Sequence, residues 1–159
     1  MVTTGDDTPD FTAPLATGDI ESFTLSDRLE DEAPIVLAFF PGAFTSVCTS
    51  EMCELQDRIT AFNDFDANVY GISRDSPFTL NEFRDQNDLE FGLISDYNKA
   101  IIDDYDIEMD FADLGVYGVA KRSVFVVDSD GEITYSWVSD DPGVEPEYDE
   151  IEAAVADAA

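Results

Sequence analysis

The sequence contains no histidine and only seven basic residues. Without imidazole there is no cysteine–histidine catalytic pair, so any nucleophilic thiol must be activated by other means. Two cysteines and no histidine are too few soft ligands for a zinc or iron–sulfur centre, and no metal or other cofactor is expected. There is no glycine-rich phosphate loop and no nucleophile elbow. No apolar run approaches the ~20 residues of a membrane span, which predicts a soluble protein. Met1 to Asp10 is polar and acidic, without the basic and apolar regions of a secretion signal. Together with the sparse cysteines this predicts a reducing, cytoplasmic setting.

What the chain does have is acid. Its 159 residues hold 37 acidic side chains, for a net charge of −30, and Asp (24) outnumbers Glu (13). The acids are spread between apolar segments, and 44% of residues are hydrophobic, including 12 phenylalanines, so the charge belongs to a folded surface and not to a disordered tail. A single domain over residues 1–159 is expected. Nucleic acid and anionic membranes are poor partners for such a surface. It resembles that of cytoplasmic proteins from salt-accumulating halophiles such as the haloarchaea, where concentrated salt screens the self-repulsion.

The pattern along the chain alternates strands and helices. Phe11 to Leu15 and Ile20 to Leu25 read as an N-terminal β-hairpin around Thr17-Gly18-Asp19, and Ser26 to Glu30 as a brief helical turn. Pro34 to Phe40 is a continuous apolar strand, as expected at the centre of a sheet covered on both faces. Leu55, Ile59, Phe62 and Phe65 recur at helical spacing and predict one long helix from Val47 to Phe65. Asn68 to Ser73 is the next strand, and Ser76-Pro77 opens a helix reaching Gln86. Gly92 to Ser95 is a short strand and Asn98 to Asp104 a short helix, whereas Asp106 to Gly118 mixes acids and apolar residues without a clear period. Ser123 to Asp128 and Glu132 to Val138 form a second hairpin, Pro142 to Pro146 a linker, and Tyr148 to Ala158 a closing helix. Asp128-Ser129-Asp130-Gly131 has part of a calcium loop, but its hairpin setting makes it a turn. This order predicts an α/β fold with a central mixed sheet flanked by helices.

The chemistry concentrates where the apolar strand stops. Pro41 ends it, a loop carries Thr45, and Cys48 falls where the long helix begins. Unpaired backbone N–H groups and the positive dipole end of a helix start favour a thiolate over a thiol. The alternative, a buried apolar cysteine, is common for lone thiols.

Pro41-x-x-x-Thr45-x-x-Cys48, with Glu51 three residues on, resembles the active-site signature of the peroxiredoxins (AhpC/TSA superfamily). Arg122-Ser123-Val124-Phe125-Val126-Val127-Asp128 resembles the strand whose arginine enters their active site. The likeness runs from about Asp10 to Val155 and implies a thioredoxin-like fold. Cys53, with four residues between it and Cys48, resembles the C-x4-C spacing of the PrxQ (bacterioferritin-comigratory) branch, while Phe39-Phe40-Pro41-x-Ala43-Phe44-Thr45 is also similar to the one-cysteine AhpE branch. Two departures stand out. Leu55-Gln56-Asp57-Arg58 replaces an aromatic–arginine pair, leaving Arg58 as the substitute for a second site arginine, and Phe83 stands where many relatives have tryptophan.

The resemblance implies a thiol peroxidase acting on hydrogen peroxide and organic hydroperoxides. Cys48 would be the nucleophile, with Thr45 hydroxyl, Cys48 backbone amide and Arg122 guanidinium as donors to the peroxide oxygens. Pro41 would shape and shield the pocket, or simply end the strand. Glu51 would hold Arg122, or be an ordinary helix acid. Cys53 would resolve the Cys48 sulfenic acid by a disulfide, re-reduced by a thioredoxin-like or small-thiol partner. On a continuous helix the two Cα atoms lie ~8–9 Å apart, beyond the ~7 Å limit for a disulfide, so this requires local unwinding. A passive Cys53 in a one-cysteine enzyme is the alternative, as is a peroxide sensor that oxidises a client protein. A thioredoxin-type disulfide oxidoreductase is disfavoured because its C-x-x-C is absent. Monomer and homodimer both remain open.

The charge excess carries its own test. Thermal unfolding followed from dilute buffer into multimolar KCl is expected to show a melting temperature that rises steeply with salt; full stability in dilute buffer would overturn the halophilic reading.

Overall fold

The computed structural model describes residues 2–159. Its centre is β3 (Ile35–Phe39), buried at every position because both faces of the sheet are covered. Alternation divides its side chains between two cores. Ile35, Leu37 and Phe39 face one with Phe125, Tyr105 and Leu29; Val36 and Ala38, with the following Phe40, face another with Met52, Leu55 and Phe83. β4 (Asn68–Ser73) pairs parallel to β3 on one side, and β8 (Ser123–Val127) antiparallel on the other. Around these three the sheet extends to seven strands. The hairpin of β1 (Thr12–Ala16) and β2 (Ile20–Thr24) joins through β5 (Leu93–Ser95) at one edge, and β9 (Ile133–Val138) forms the other. The mixed sheet, its helical cover and the N-terminal hairpin are as the sequence pattern predicts.

The helices α1 (Leu25–Glu32) and α5 (Ala100–Tyr105) bury Leu25, Leu29, Ile101 and Tyr105 in the first core. Opposite them, α4 (Pro77–Gln86) and α6 (Tyr148–Ala158) bury Leu80, Phe83, Ile151 and Val155 in the second. The start of α4 follows the expected chemistry: Pro77 occupies the first turn, and the Ser76 hydroxyl accepts from Thr79 N–H at 3.2 Å. Phe83 is fully buried and stacks with Phe40. Among the described residues, no helix is long and apolar enough to cross a membrane.

Two segments depart from expectation. The single helix expected over Val47 to Phe65 is instead α2 (Ser46–Asp57) and α3 (Ile59–Asn63), broken at Arg58 with φ −96° and ψ 6°. Arg58 N–H is shared between the carbonyls of Glu54 and Leu55, each at 3.2 Å. Its guanidinium bonds Glu54 and reaches Asp149 and Glu152 of α6, lying over the Tyr148 ring. A tertiary anchor thus sets the break, and helical periodicity cannot register it. The mixed acid–apolar stretch becomes an antiparallel ribbon, β6 (Glu108–Phe111) and β7 (Val116–Ala120), joined by a 3-10 turn at Ala112–Leu114. Among the described residues, it pairs with no strand of the main sheet. The Asp128 carboxylate accepts from the backbone N–H groups of Asp130 and Glu132, so it is spent on the β8–β9 turn.

Gly71 in β4 leaves no room for a side chain. A Cβ there would lie 2.7 Å from Leu93 Cδ2, 3.0 Å from Met52 Sδ and 3.1 Å from Phe40 Cε1. Gly71→Ala is expected to destabilise the fold by about 1–3 kcal/mol through overpacking, read by urea denaturation in high salt; an unchanged midpoint would contradict this packing.

Candidate active site

The site forms where the chain leaves β3. Phe40 N–H still bonds Ile72 O of β4 at 2.9 Å, and then Pro41, which has no N–H, ends the ladder. The loop is held by contacts with neighbouring segments. Ala43 N–H donates to Asp75 Oδ2 at 2.8 Å, and Phe44, at φ 68°, sets its ring edge-on to Phe83. Thr45 caps α2 in extended conformation, and its carbonyl accepts the first helical bond, from Thr49 N–H at 2.9 Å. The N–H groups of Ser46, Val47 and Cys48 come before that bond and are not spent on the helix. Cys48 is therefore in the first turn, with its side chain 1% exposed.

Arg122 comes from the neighbouring strand. Ser123 stands opposite Phe39 in the antiparallel register of β8 and β3, so the residue before Ser123 is delivered to the end of β3. Its Nη2 lies 3.1 Å from Cys48 Sγ, and its Nη1 donates to Glu51 Oε1 at 2.7 Å. Nη2 and Nε also donate to Pro142 O, at 3.1 and 3.3 Å. Glu51 reaches the same face as Cys48 because residues three apart on a helix are neighbours. Arg122 and Glu51 are both essentially sealed from solvent, at 1% and 0% exposure. Burial works against the Arg122 charge, but Glu51 and Cys48 hold its pKa above the ordinary range. Burial pushes the Glu51 carboxyl up to about 7 against the opposing pull of Arg122, and its Oε2 has no hydrogen-bond partner among the described residues.

Cys48 and Arg122 lie at the floor of an open cavity of about 590 Å³. Pro41 and Thr45 line the same end, and Phe111, Leu114 and Val116 of the ribbon supply an apolar wall. A sulfur held against a fixed cation, beside unspent backbone donors, is an arrangement for a thiolate nucleophile and for stabilising charge on an attacked oxygen.

The structure thus gathers Pro41, Thr45, Cys48, Glu51 and Arg122, and it refines two expectations. The Thr45 hydroxyl proton goes to Gly42 O at 2.9 Å, so the polar side chain touching the sulfur is Arg122. Arg58 is absent from the cavity lining and serves as the bridge from α2 to α6. Cys53 is not part of the cluster. It is half-buried farther along α2 with its thiol 3.8 Å from Asn87 Oδ1 at the end of α4, and both cysteines are free. Burial and then Asp57 push the Cys53 thiol up. Sequence reading missed Arg74, Asp75 and the ribbon, all of which line the cavity. Arg74 and Asp75 follow directly on β4, and strand ends next to the central strand are where open α/β sheets bind ligands. That position was the available signal.

A family model, described as the AhpC/TSA family, matches residues 4–136. The chain belongs to this family. A Mycobacterium tuberculosis protein named as a peroxiredoxin is 37% identical over 134 residues, covering 83% of this chain and 82% of its own. A chloroplastic 2-cysteine peroxiredoxin of Chattonella marina is 36% identical, with 85% and 70% covered. Among solved structures, the peroxidoxin BcpB of Mycobacterium tuberculosis superposes with a TM-score of 0.85 at 28% identity, covering 100% of this chain and 99% of that one. The fold is the thioredoxin-like peroxiredoxin fold, and the chain is a peroxiredoxin-type thiol peroxidase carrying two cysteines.

The raised Glu51 pKa makes stability depend on pH in a peroxiredoxin that has no histidine to contribute. The folded protein keeps a proton that the unfolded chain releases near 4.5, so this contribution is complete below that pH and is lost as pH rises through about 7. Glu51→Gln cannot ionise there. Between pH of about 5 and about 8 it is expected to lose less stability than wild type in denaturant titrations; parallel losses would contradict the assignment.

Proposed function

We propose that the chain reduces hydrogen peroxide and organic hydroperoxides through Cys48, and that Cys53 resolves the product within the same chain. The observation that carries this reading is the contact of Cys48 Sγ with the buried Arg122 Nη2, 3.1 Å apart at the floor of an open cavity. The Cys48 thiolate attacks one peroxide oxygen and the O–O bond breaks. Sulfur is oxidised to sulfenic acid, and the departing oxygen takes a proton from water and leaves as water or an alcohol. Negative charge builds on that oxygen as the bond stretches, and Arg122, the Cys48 backbone N–H and the Thr45 hydroxyl are the donors placed to receive it. For Thr45 this means turning its proton away from Gly42 O. Glu51 holds Arg122 in place through the 2.7 Å ion pair, and Pro41 walls the sulfur from bulk water.

In the second step the Cys53 thiol displaces water from the sulfenic acid, forming a Cys48–Cys53 disulfide. A thioredoxin-like protein or another small dithiol then reduces that disulfide, and two thiols are restored. Both cysteines lie on α2, so their Cα atoms are ~8–9 Å apart and its first turns must unwind before the bond can close. The C-x4-C spacing aligns this route with the PrxQ branch. A one-cysteine route is the second reading, favoured by the continuous run of α2 through both cysteines and by the raised Cys53 thiol, and it leaves the sulfenic acid to an external thiol. The acid-rich surface accords with a salt-accumulating cytoplasm.

The test is intact mass and free-thiol count after one equivalent of hydrogen peroxide in multimolar KCl, for wild type, Cys48→Ser and Cys53→Ser. Expected are rapid loss of both thiols and two hydrogens in wild type, a trapped sulfenic acid in Cys53→Ser, and no fast reaction in Cys48→Ser. A sulfenic acid that persists in wild type with Cys53 still free overturns resolution by Cys53. Fast oxidation of Cys48→Ser overturns the nucleophile assignment itself.

A further inference from the structure

Arg74 follows the last residue of β4 and lines the same cavity as Arg122. Its guanidinium makes its hydrogen bonds with backbone carbonyls of other segments. Nη1 donates to Gly118 O at 3.0 Å and to Tyr117 O at 3.3 Å, and Nη2 to Tyr97 O at 3.5 Å. Its Nε is buried without a hydrogen-bond partner among the described residues. The rigid fork of a guanidinium suits it to hold several carbonyls in one geometry. Tyr117 and Gly118 belong to β7, whereas Tyr97 lies just beyond β5, so Arg74 ties the ribbon to the end of the main sheet.

That tie matters because the ribbon shares no strand ladder with the sheet. Another polar attachment is the ion pair of Lys99 Nζ with Glu108 Oε1 at 2.8 Å. The sequence is shaped around the Arg74 contact. Gly118 sits at φ +67°, and a Cβ there would come within 3.1 Å of Arg74 Nη1 and 3.0 Å of Glu108 Oε1. Glycine keeps the backbone open to both side chains, and the positive φ suits it as well.

The ribbon presents an apolar wall in a chain of net charge −30. Phe111, Leu114 and Val116 line the cavity, and Leu114 is 76% exposed. Exposed apolar side chains gathered at a cavity mouth mark a contact surface for an apolar ligand. Hydrogen peroxide is small and polar and gains nothing from them. A hydroperoxide with a bulky hydrocarbon body does, and the surrounding negative charge favours a neutral one over an anionic one.

We infer that Arg74 is a specificity-determining positioning residue: by latching the ribbon to the sheet, it sets the apolar wall that recognises neutral, bulky hydroperoxides. This rests on the peroxidase reading above. The test is single-turnover oxidation of the reduced full-length protein in multimolar KCl, timed by loss of the Cys48 thiol. Cumene hydroperoxide is compared with hydrogen peroxide for wild type, Arg74→Met, Gly118→Ala and Leu114→Ser. The ratio of the two rate constants is the readout, since a general loss of folding or of thiol reactivity leaves it unmoved. Leu114→Ser alters the wall directly, and Gly118→Ala disturbs the latch while keeping the arginine, so it decides the matter if Arg74→Met does not fold. The cumene-to-hydrogen-peroxide ratio is expected to fall about tenfold in all three variants. A ratio within about twofold of wild type in Arg74→Met and Gly118→Ala overturns the role of Arg74. Wild type that is oxidised by neither peroxide instead overturns the peroxidase reading, and this assignment with it.

Discussion

A guanidinium taken out of water is expensive unless charge and hydrogen bonds meet it on every side. Arg122 is buried at the meeting point of β3, β8 and the start of α2, and it is met by Glu51, by Cys48 and by the carbonyl of Pro142. Cys48 and Glu51 come from the first turns of α2, and the other groups around the site come from elsewhere in the chain. The parallel neighbour β4 carries Asp75 to the loop ahead of Cys48, and the antiparallel neighbour β8 brings Arg122 itself. The linker after β9 folds back to supply Pro142. The fold around the site thus shapes the loop ahead of Cys48 and brings a carboxylate, a sulfur and a carbonyl to one buried guanidinium.

The same ion pair has an asymmetry with consequences. One oxygen of Glu51 is bonded to Arg122 and the other has no hydrogen-bond partner among the described residues; burial, opposed by Arg122, raises the carboxyl pKa to about 7. Glu145 adds to this from the linker side. In a chain this acidic, a strongly positive site cannot be maintained by surface cations, since exposed pairs are screened and weak. Burial next to Cys48 solves that problem: the low-dielectric surroundings strengthen the one cation that matters to sulfur.

The position of Cys53 follows from helix geometry. Five residues on from Cys48 it faces the end of α4 and not the cavity, half-buried against Asn87. The break at Arg58 ends α2 about one turn later, and the anchor to α6 holds that end. Any motion bringing the two sulfurs together must therefore come from the first turns, where Cys48 sits and where helical bonds are fewest.

Much of this was legible in the residues themselves. A continuous apolar run marks β3 as central, Pro41 marks its end, and Cys48 after Thr45 marks a helix start, because these signals are local and depend on backbone chemistry and burial alone. The pairing of Glu51 with Arg122 was legible only through the family motif, since residues 71 apart share no local signal. Other features belong to the tertiary structure. The helix break at Arg58 depends on carboxylates contributed by α6. The ribbon reads as irregular because a register shift between Met109 and Phe111 and the buried run that ends β7 interrupt strand alternation. Arg74 looks like an ordinary loop arginine until β7 is folded against it. The sequence by itself determined that Cys48 begins a helix, which strand precedes it and the charge of the surface. Which apolar wall lines the cavity and how the ribbon is tied to the sheet were decided by long-range packing, because those contacts exist only once distant segments share the same space.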